Sequence, residues 1–485
     1  MVYNRDMALT LKGKKVLLLG LGSLGGGIAT ANWLMDEGAK LTISDLKDAK
    51  SLASSVKRVE DHLKRVAADG KSYEKARARL TWALGGHTLK LIDNAEMVVV
   101  NPDVSVRNPF VARALKRGIA VENEGTLFYQ NWKKPIIGVT GTRGKTTTAT
   151  WTNHLIGTSM LTGNSVVKPF LEALRDSGKK SSAVTELSSF VLELFESTRL
   201  APHIAVITNL YRDHLNRHGT MEEYAKAKAQ IFLHQKKANA LILNADNEWT
   251  KRFLAYKPVA QVYLTSMREL PLEALGVWFA DDAVWQWDDG QSRRVVDMSG
   301  FARQWGMHNV ANALQAILAA HLAGTTFTDI QKRIASLPAV SYRQEVVHHD
   351  ARRTVVNDTT ATSPEAGIAA VQRWGGPTTI LIAGGTDREL DYRQWAHEIP
   401  KHIRRTNIIF LSGSATIKMR TALGRVGRGI RSYDTLEAAW EVALKRAGTY
   451  VSSVILFSPS AKSFELFANE YDRGQKFNTL VRQRI

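Results

Sequence analysis

The sequence predicts an α/β protein of three consecutive domains, each built around a mostly parallel sheet. Short apolar runs alternate with stretches of helical spacing along the chain, which is the pattern of doubly wound folds. A chain of 485 residues is also too long for one hydrophobic core. We place the domains at residues 1–132, 133–338 and 339–485, and expect Rossmann-like first and third domains around a central domain of the P-loop ATPase type.

The composition is that of a globular protein, with 44% hydrophobic and 23% charged residues. No cysteine is present, which excludes disulfides, thiolate nucleophiles and cysteine-bound metals. The formal net charge of +19 would attract nucleic acid, anionic membranes or anionic metabolites. Because lysines and arginines are mixed with acids and no basic cluster is interleaved with aromatic residues, we expect no nucleic-acid partner.

The first domain is predicted from four apolar runs, which read as parallel strands: "KVLLLG", "KLTIS", "MVVVNP" and "IAVEN". The uncharged segment Val16–Met35 contains five glycines, so we expect a buried strand, a turn and a helix start rather than a membrane span. The segment "FYQNWKKP" is predicted to be the linker to the second domain.

The glycine-rich turn within Val16–Met35 has the spacing of a dinucleotide-binding fingerprint. Gly20, Gly22 and Gly25 form GxGxxG, and Asp45 follows twenty residues later. Alone, this favours NAD and an NAD-dependent oxidoreductase. The fingerprint reports only a diphosphate at a helix N-terminus, however, and does not specify the nucleotide.

The second domain opens with a phosphate-binding loop, "TGTRGKTTT", between the strand "PIIGVT" and a helix. Gly141 and Gly144 allow backbone N–H groups to approach phosphate oxygens, and Lys145 is expected to reach the β- and γ-phosphates. Thr146 is placed to offer its hydroxyl to Mg²⁺. The Walker A spacing is imperfect, because Gly138 stands one position too early. The loop predicts nucleoside triphosphate chemistry, which makes UDP the better candidate for the first domain.

Further strands are predicted in the second and third domains, with the helix "HNVANALQAILAAHLAG" closing the second and the helix "TLEAAWEVALKRAG" lying in the third. The second-domain strands are "SAVTEL", "IAVITNL" and "ALILNAD". Those of the third domain are "RTVVNDT", "TTILIAGG", "NIIFLSG" and "VSSVILFSPS".

In order along nearly the whole chain, these motifs resemble the Mur ligases, the ATP-dependent amide-forming enzymes of peptidoglycan precursor synthesis. The resemblance rests on "GLGSLG", "GVTGTRGKTTT", "DHLNRHGTMEEYAKAKAQIF" and "HNVANAL". Three further blocks, "ELSSFVLE", "NDTTATSPEA" and "SPSAKSFELFANEYDRG", are most similar to members that add D-glutamate. The resemblance implies a ligase that joins D-glutamate to UDP-N-acetylmuramoyl-L-alanine through an acyl phosphate, releasing ADP and phosphate. It would serve cell wall biogenesis and thereby cell shape and division.

The resemblance also implies ATP, Mg²⁺ at two sites and a carbamylated lysine. The implied catalytic residues are Lys145, Glu186, His214 and Lys228, and the implied metal ligands are Thr146, Glu186, His214 and carbamylated Lys228. The implied ATP-binding residues are Gly141, Thr142, Gly144, Lys145, Thr146, Thr147, Asn312, Arg343 and Asp358. Lys226 is expected on the exposed helix face, and His218 is expected to be solvated with no zinc role, since no HExxH motif is present.

For the other substrates, the resemblance implies two further groups. The implied UDP-sugar-binding residues are Gly22, Ser23, Leu24, Asp45, Asn164 and His214. The residues implied to bind the amino-acid substrate are Thr362, Arg388, Ser463 and Tyr471. Arg388 stands where lysine is often found, Thr360 where some members have lysine, and Glu470-Tyr471 replaces a more usual Phe-Glu order. These departures leave open a ligase for another amino acid, such as L-glutamate, or for another carrier.

Two further classes remain alternatives: the NAD-dependent oxidoreductase and a basic P-loop ATPase acting on nucleic acid. The first predicts nicotinamide binding without ADP production, and the second predicts hydrolysis stimulated by DNA or RNA. For the leading interpretation we expect a cytoplasmic monomer with small-molecule substrates and no stable membrane insertion.

Overall fold

Three separate sheets organise the chain in a computed structural model, which describes residues 10–23, 25–163 and 168–485. Parallel strands dominate all three, so the predicted fold class is confirmed. By its internal contacts the chain forms two compact units. One runs to Phe301 and includes Asn309–Leu337, and the other contains Ala302–His308 and Pro338–Ile485. The predicted boundary at residue 132 stays a prediction.

The first sheet has the strand order β3-β2-β1-β4-β5 in the described residues, and all its strands are parallel. The strands are β1 (Lys15–Leu19), β2 (Lys40–Asp45), β3 (Leu80–Leu84), β4 (Met97–Val100) and β5 (Ala120–Glu122). The helices are α1 (Gly26–Asp36), α2 (Ala53–Val66), α3 (Gly70–Arg77), α4 (Leu89–Asp93), α5 (Pro109–Lys116) and α6 (Glu124–Asn131). The four predicted strands are present. β3 was not predicted, because it lies at the sheet edge, where Trp82 and Leu84 are only half-buried.

The uncharged segment Val16–Met35 forms β1, the glycine-rich turn and most of α1, as predicted. Among the described residues, the helices are too short or too polar for any of them to cross a membrane.

The central sheet has the order β14-β13-β12-β11-β10-β9-β6-β8-β7 in the described residues. It is parallel from β7 to β12 and ends in an antiparallel β12-β13-β14 meander. Its strands are β6 (Ile136–Thr140), β7 (Met160–Thr162), β8 (Ala183–Glu186), β9 (Ile204–Ile207), β10 (Ala240–Asn244), β11 (Gln261–Ser266), β12 (Gly276–Ala280), β13 (Ala283–Asp288) and β14 (Gln291–Asp297).

The helices in this part of the chain follow in sequence order, and a 3₁₀ segment covers Leu174–Lys179. The helices are α7 (Lys145–Ile156), α8 (Phe170–Ala173), α9 (Ser189–Leu192), α10 (Phe195–Thr198), α11 (Leu215–His218), α12 (Met221–Leu233), α13 (Thr250–Ala255), α14 (Phe301–Trp305), α15 (Met307–Leu322) and α16 (Phe327–Ile334).

The third sheet has the order β15-β16-β20-β17-β18-β19, with β15 antiparallel to β16 and the other pairs parallel. The strands are β15 (Glu345–His349), β16 (Arg353–Asn357), β17 (Thr379–Ala383), β18 (Ile408–Leu411), β19 (Ser432–Tyr433) and β20 (Ser453–Phe457). The helices are α17 (Pro364–Trp374), α18 (Arg393–His402), α19 (Ser414–Ala422), α20 (Leu436–Ala447) and α21 (Glu470–Arg484), with a 3₁₀ turn at Arg405–Asn407. Helices α17, α18 and α19 pack on one face, and α20 and α21 on the other.

The predicted linker "FYQNWKKP" is wrong at its start. Residues 128–131 form the last turn of α6, and Phe128, Tyr129 and Trp132 are buried. Phe128 stacks on Trp132 with ring centroids 5.3 Å apart, and the Tyr129 hydroxyl hydrogen-bonds to Thr185 Oγ1 at 2.8 Å. These aromatic side chains are part of the core, which a linker composition does not reveal.

Candidate active site

The phosphate loop lies between β6 and α7, as predicted, and two of its glycines have no room for a side chain. Gly141 has φ +149°, and a Cβ there would lie 1.8 Å from Thr208 Oγ1. Gly144, the N-cap of α7, has φ +81°, and a Cβ there would lie 2.1 Å from Asn312 Oδ1. The backbone therefore approaches its neighbours as only glycine permits.

Gly138 explains the imperfect Walker spacing. It lies within strand β6 rather than in the loop, and a Cβ would meet Pro202 at 2.9 Å and the Tyr129 hydroxyl at 3.0 Å. This glycine therefore allows close packing of the central sheet.

The segment after β9 holds the loop in place. Thr208 Oγ1 donates to the Arg143 carbonyl at 2.6 Å, and the Arg143 N–H donates to Asn209 Oδ1 at 2.9 Å. Lys145 begins α7, and its Nζ donates to the Thr142 carbonyl at 3.2 Å. The Arg143 guanidinium is 3.2 Å from Asp213 Oδ2. Sequence reasoning did not single out this arginine, although a cation between the two loop glycines was a visible signal.

The predicted threonines are buried, Thr142 within the loop and Thr146 and Thr147 at the start of α7. Thr142 is 5% exposed, Thr146 is 2% exposed and Thr147 is 7% exposed. The Thr142 hydroxyl hydrogen-bonds to the Tyr224 hydroxyl at 3.2 Å. This contact joins the loop to helix α12.

Lys228, on α12, is buried against the loop. Its side chain is 1% exposed, and Nζ donates to the Gly141 carbonyl at 2.8 Å and more weakly to Thr140 Oγ1 at 3.4 Å. Burial, reinforced by the charge of Lys145, lowers the pKa of Lys228 well below its ordinary value. Lys226 is 50% exposed, as predicted, and lies 3.9 Å from Glu196.

Glu186 ends strand β8, and the strand register sets it opposite Val139, next to the phosphate loop. Glu186 is 2% exposed, and its Oε2 atom is buried without a hydrogen-bond partner. A buried carboxylate oxygen without a donor is costly unless a cation neutralises it. Across the described ranges, no group of three or more His, Cys, Asp or Glu side chains is arranged to hold a metal ion by itself. The oxygens of Glu186 and Thr146 suit Mg²⁺, which usually takes one or two carboxylates together with phosphate and water.

The two histidines of "DHLNRH" do not share a helix. His214 precedes α11 in the left-handed region at φ +54°, and its ring meets Phe190 edge-on at 5.0 Å. His218 ends α11, so the two do not form a helical metal pair. The prediction of a solvated His218 is wrong. It is 4% exposed, hydrogen-bonded to Ser189 Oγ at 3.0 Å and stacked on Tyr224, and burial lowers its pKa to about 4.

Asn309 and Asn312 lie on one face of α15, as their spacing predicts. The Asn312 side chain is 9% exposed, and its Nδ2 donates to Asn309 Oδ1 at 2.9 Å. Its contact with Gly144 brings an amide to the start of α7.

The glycine-rich turn after β1 is closed by Asp45. Oδ2 of this carboxylate accepts from the N–H of Leu21 at 2.9 Å and of Gly22 at 3.1 Å. Gly22 has φ +62°, and Ser23 is exposed. The predicted ligands Leu24 and Asn164 lie outside the described residues.

In the second compact unit, Asp358 directly follows β16. It accepts from Ser458 Oγ at 2.8 Å and from the Gln344 N–H at 3.1 Å. Burial raises the pKa of Asp358 to about 7, against these hydrogen bonds and the charge of Arg343. Asp358 is 5% exposed, so its carboxylate is engaged within the unit.

The residues predicted to bind the amino-acid substrate lie on loops at the carboxyl ends of the strands of the third sheet and at the start of α21. Thr362 follows β16 and is half-buried. Arg388 follows β17, and its guanidinium carbon lies 5.7 Å from the centroid of the Phe464 ring. Ser463 follows β20, and its Oγ is buried without a hydrogen-bond partner. Tyr471, on α21, lies 6.3 Å from Tyr342 between ring centroids.

Arg473, which sequence reasoning did not single out, connects two of these loops. It is fully buried, and it donates to the Thr359 hydroxyl and carbonyl and to the carbonyls of Ala461 and Lys462. Its place in "DRG" gave no signal of burial, because arginine is seldom fully buried.

Three mostly parallel sheets, with a phosphate-binding loop between β6 and α7 of the central one, define the class of P-loop nucleotide-binding proteins. Residues 139–320 match the Mur ligase middle domain. The chain is 33% identical to the UDP-N-acetylmuramoylalanine–D-glutamate ligase of Roseiflexus sp. (strain RS-1), over 98% of this chain and 99% of that protein. It is 31% identical to the enzyme of that name from Acidobacterium capsulatum, over 98% and 97%. The chain belongs to the Mur ligase family, whose members are ATP-dependent ligases that form amide bonds.

A solved structure agrees at the level of the fold. The UDP-N-acetylmuramate-alanine ligase MurC of Thermotoga maritima superposes with a TM-score of 0.58 over 97% of this chain and all of that one, at 17% identity.

Proposed function

We propose that this protein joins D-glutamate to UDP-N-acetylmuramoyl-L-alanine, with conversion of ATP to ADP and phosphate, as a monomer in the cytoplasm. Two relatives that carry this activity in their names match it over nearly their full length. The observation that carries the proposal is the phosphate loop of β6 and α7, with Lys228 and Glu186 buried beside it. Such a loop serves carboxylate activation by phosphoryl transfer, where positioning and electrostatic stabilisation dominate catalysis.

In this proposal the loop N–H groups and Lys145 bind the ATP phosphates, with Thr147 and Asn312 lining the start of α7. Thr146 and Glu186 would hold one Mg²⁺ and His214 would be a ligand of a second, and these ions would neutralise the phosphoryl charge. The substrate carboxylate attacks the γ-phosphorus, ADP leaves, and the amine of D-glutamate displaces phosphate from the acyl phosphate. Arg343 and Asp358 are proposed ATP contacts, and Thr362, Arg388, Ser463 and Tyr471 are proposed contacts of the amino acid.

We further propose that Lys228 is carbamylated and completes a second Mg²⁺ site. A neutral buried amine takes up CO₂, losing one proton as the N–C bond forms, and becomes an anion with two metal-binding oxygens. The lowered pKa of Lys228 favours the neutral amine, which is the form that reacts with CO₂, and thus supports this step.

The diphosphate of the UDP-sugar is proposed to bind at the turn Gly22–Leu24 and the N-terminus of α1, with Asn164 and His214 as further contacts. A helix N-terminus preceded by glycines favours a diphosphate. Asp45 now occupies the N–H groups of Leu21 and Gly22, so ligand binding would reorganise these hydrogen bonds.

The test is a ligation assay. Purified protein, ATP, Mg²⁺ and UDP-N-acetylmuramoyl-L-alanine are mixed with D-glutamate, L-glutamate or other amino acids, and phosphate release and product mass are followed. We expect product with D-glutamate and its loss in Lys145→Ala. No ligation with any glutamate would overturn the assignment, and full activity of Lys145→Ala would overturn the role of the loop.

The carbamate has its own test, with a matched control on the same helix. We expect Lys228→Ala to lower turnover by about a hundredfold to a thousandfold, the scale of losing one group that stabilises transition-state charge, and short carboxylic acids to restore part of it. Lys226→Ala, two residues away and exposed, should stay within about twofold of the wild type. Lack of rescue by formate or acetate would contradict the carbamate.

A further inference from the structure

The loops that enter the strands of the third sheet form a surface of their own. Because the pairings among β16, β17, β18, β19 and β20 are parallel, the loops before these strands lie along one edge of the sheet. The residues predicted to bind the amino acid follow the strands and lie at the opposite edge, where ligands of open α/β sheets bind. We call the loops before β18, β19 and β20 the amino-terminal edge; they comprise residues 403–407, 423–431 and 448–452.

This amino-terminal edge carries positive charge that no neighbouring acid in the sequence offsets. From Ile399 to Tyr433 the sequence contains no aspartate and no glutamate. Its exposed arginines make neither an ion pair nor a side-chain hydrogen bond within the described residues; they are Arg404, Arg425, Arg428 and Arg431. Like charges that lie close together repel one another, so a partner of negative charge would stabilise this surface.

The lysines of the same stretch have ordinary structural roles. Lys401 pairs with Glu398 at 2.7 Å, and Lys418 pairs with Asp387 at 2.5 Å. Lys401 also lies in the last turn of α18, where the helix dipole favours a cation. The exposed arginines of the entering loops have no acidic partner of this kind, so their charges are available to a ligand.

Hydrogen bonds hold two of the entering loops side by side. Arg405 Nε donates to the Val426 carbonyl at 3.0 Å, and Arg405 Nη2 donates to the Arg428 carbonyl. The loop before β18 is thereby joined to the loop before β19. Arg404 and Arg428 therefore belong to one continuous surface.

An exposed apolar side chain adjoins this surface. The Tyr450 hydroxyl exchanges hydrogen bonds with the Asn407 amide at 3.1 and 3.2 Å, which fixes the loop before β20 against the loop before β18. The next residue, Val451, is 94% exposed. One exposed valine is ordinary on a protein surface. Next to arginines without acidic partners, however, it supplies the apolar contact that interfacial membrane sites combine with basic residues.

These features favour a lipid surface over a nucleic acid. Single-stranded nucleic acids are bound through aromatic rings on which bases stack, whereas Tyr450 is half-buried and its hydroxyl is engaged. The arginines lie on successive loops rather than on a helix that could enter a groove. Cations spread along a sheet edge suit the planar array of phosphates on a bilayer.

We propose that the amino-terminal edge of the third sheet is a docking surface for an anionic lipid bilayer. The exposed arginines contact the lipid phosphates, and Val451 reaches the boundary between headgroups and acyl chains. The docking is reversible, because it depends on charges that salt screens and on little apolar area. It is independent of the proposed ligase reaction, since the residues predicted to bind the amino acid lie at the opposite edge of the sheet.

The experiment measures co-sedimentation of the full-length protein with vesicles of phosphatidylglycerol and phosphatidylcholine, and with vesicles of phosphatidylcholine alone. We expect binding that rises with the phosphatidylglycerol content and falls as NaCl is raised from about 50 to about 300 mM. Glutamine at all four arginine positions should weaken this binding at least about a hundredfold; the changes are Arg404→Gln, Arg425→Gln, Arg428→Gln and Arg431→Gln. Val451→Asp, which removes the apolar contact and adds a negative charge, should weaken it at least about tenfold.

The matched control removes the same number of positive charges from the exposed faces of α2 and α3, and has the same net charge as the arginine variant. Its changes are Lys57→Gln, Arg58→Gln, Lys64→Gln and Lys71→Gln. This control should bind the vesicles within about threefold of the wild type, and both variants should keep the wild-type melting temperature and ligation rate in solution.

Equal losses of binding in the two quadruple variants would overturn the proposal, because total charge rather than this edge would then determine binding. A wild type that does not bind phosphatidylglycerol vesicles would overturn it as well. If that wild type instead binds RNA or DNA through the same arginines, the edge is a nucleic-acid surface.

Discussion

Lys226 and Lys228 stand two positions apart on α12 and meet opposite environments. From the sequence alone, both lysines of "AKAKAQ" read as an exposed helical face, and only the family resemblance singled out Lys228. In the structure Lys228 shares the buried face with Tyr224, four residues earlier, and both are 1% exposed. The buried face of a helix is recognised in a sequence by apolar residues at helical spacing, and a lysine at one of these positions interrupts that pattern. The burial of Lys228 could therefore not be predicted from its neighbours in the sequence.

His218 illustrates the same limit, because its neighbours come from elsewhere in the chain. Ser189 and Glu193 approach it from α9 and the turn that follows, at 3.0 and 3.6 Å. The i+4 spacing from His214 gave no information about these contacts. Long-range packing therefore decides whether this histidine is solvated.

Burial of His218 predicts a pH-dependent stability. The unfolded chain takes up a proton at this histidine below about pH 6.5, whereas the folded protein resists protonation until about pH 4. The contribution of neutral His218 to the free energy of unfolding is therefore complete above about pH 6.5. As the pH falls from about 6.5 to about 4, the free energy of unfolding decreases by up to about 3 kcal/mol. His218→Asn should lack this loss, as measured by urea unfolding from about pH 8 to about pH 4.5.

The control is His397→Asn, because the His397 side chain is 72% exposed. This variant should follow the wild type at every pH. Parallel curves for the wild type and His218→Asn would contradict the prediction.

At the scale of elements, strand–loop–helix units were the most predictable part of the fold. β6, its loop and α7 appear where the sequence places them, because glycine punctuation and apolar runs mark both ends. The strands not predicted are short or peripheral, such as β7, β15 and β19. The side chains of β15 and β19 are partly exposed, so their apolar signal is weak, and β7 is buried but only three residues long.

The start of α7 provides a test of loop geometry. Gly144→Ala would set a Cβ 2.1 Å from Asn312 Oδ1 at a φ of +81°, so the Asn312 amide, the loop or α15 must move and the backbone at residue 144 is strained. We expect ADP affinity to fall at least about a hundredfold, since the N–H groups at the helix start would no longer converge on phosphate. Isothermal titration with Mg²⁺ and ADP measures this loss.

Gly118→Ala is the control, because Gly118 has a similar φ of +70° and open space around it. It should cost about 1 kcal/mol of stability through backbone strain alone and leave ADP affinity unchanged. Normal ADP binding by Gly144→Ala would show that the loop tolerates a side chain.

At the scale of the whole molecule, the sequence predicted three sheets but not how their loops join. The Arg217–Glu193 ion pair, at 2.6 Å, connects α11 to the turn after α9, and Arg217 also donates to the Asp103 carbonyl after β4. These residues lie far apart in sequence. Spacing rules cover neighbours along the chain and contain no information on such contacts.

The formal charge of +19 predicts a salt-dependent reaction. Since the proposed substrates are anionic, kcat/KM for the UDP-sugar should fall severalfold between about 20 and about 300 mM NaCl, as screening shortens the range of attraction. kcat should change by less than about twofold. Initial rates at saturating ATP and D-glutamate measure both, with sucrose as a neutral control. A flat kcat/KM would show that the excess charge does not guide binding.

The place of β20 in the third sheet has a consequence for biosynthesis. This strand pairs with both β16 and β17, yet the ribosome makes it about a hundred residues after β16. Until Ser453–Phe457 emerges, β16 and β17 present open edges to each other and to other nascent chains. The third sheet must therefore wait for β20, and fragments that stop before Ser453 should be targets for chaperones and proteases rather than partly folded domains.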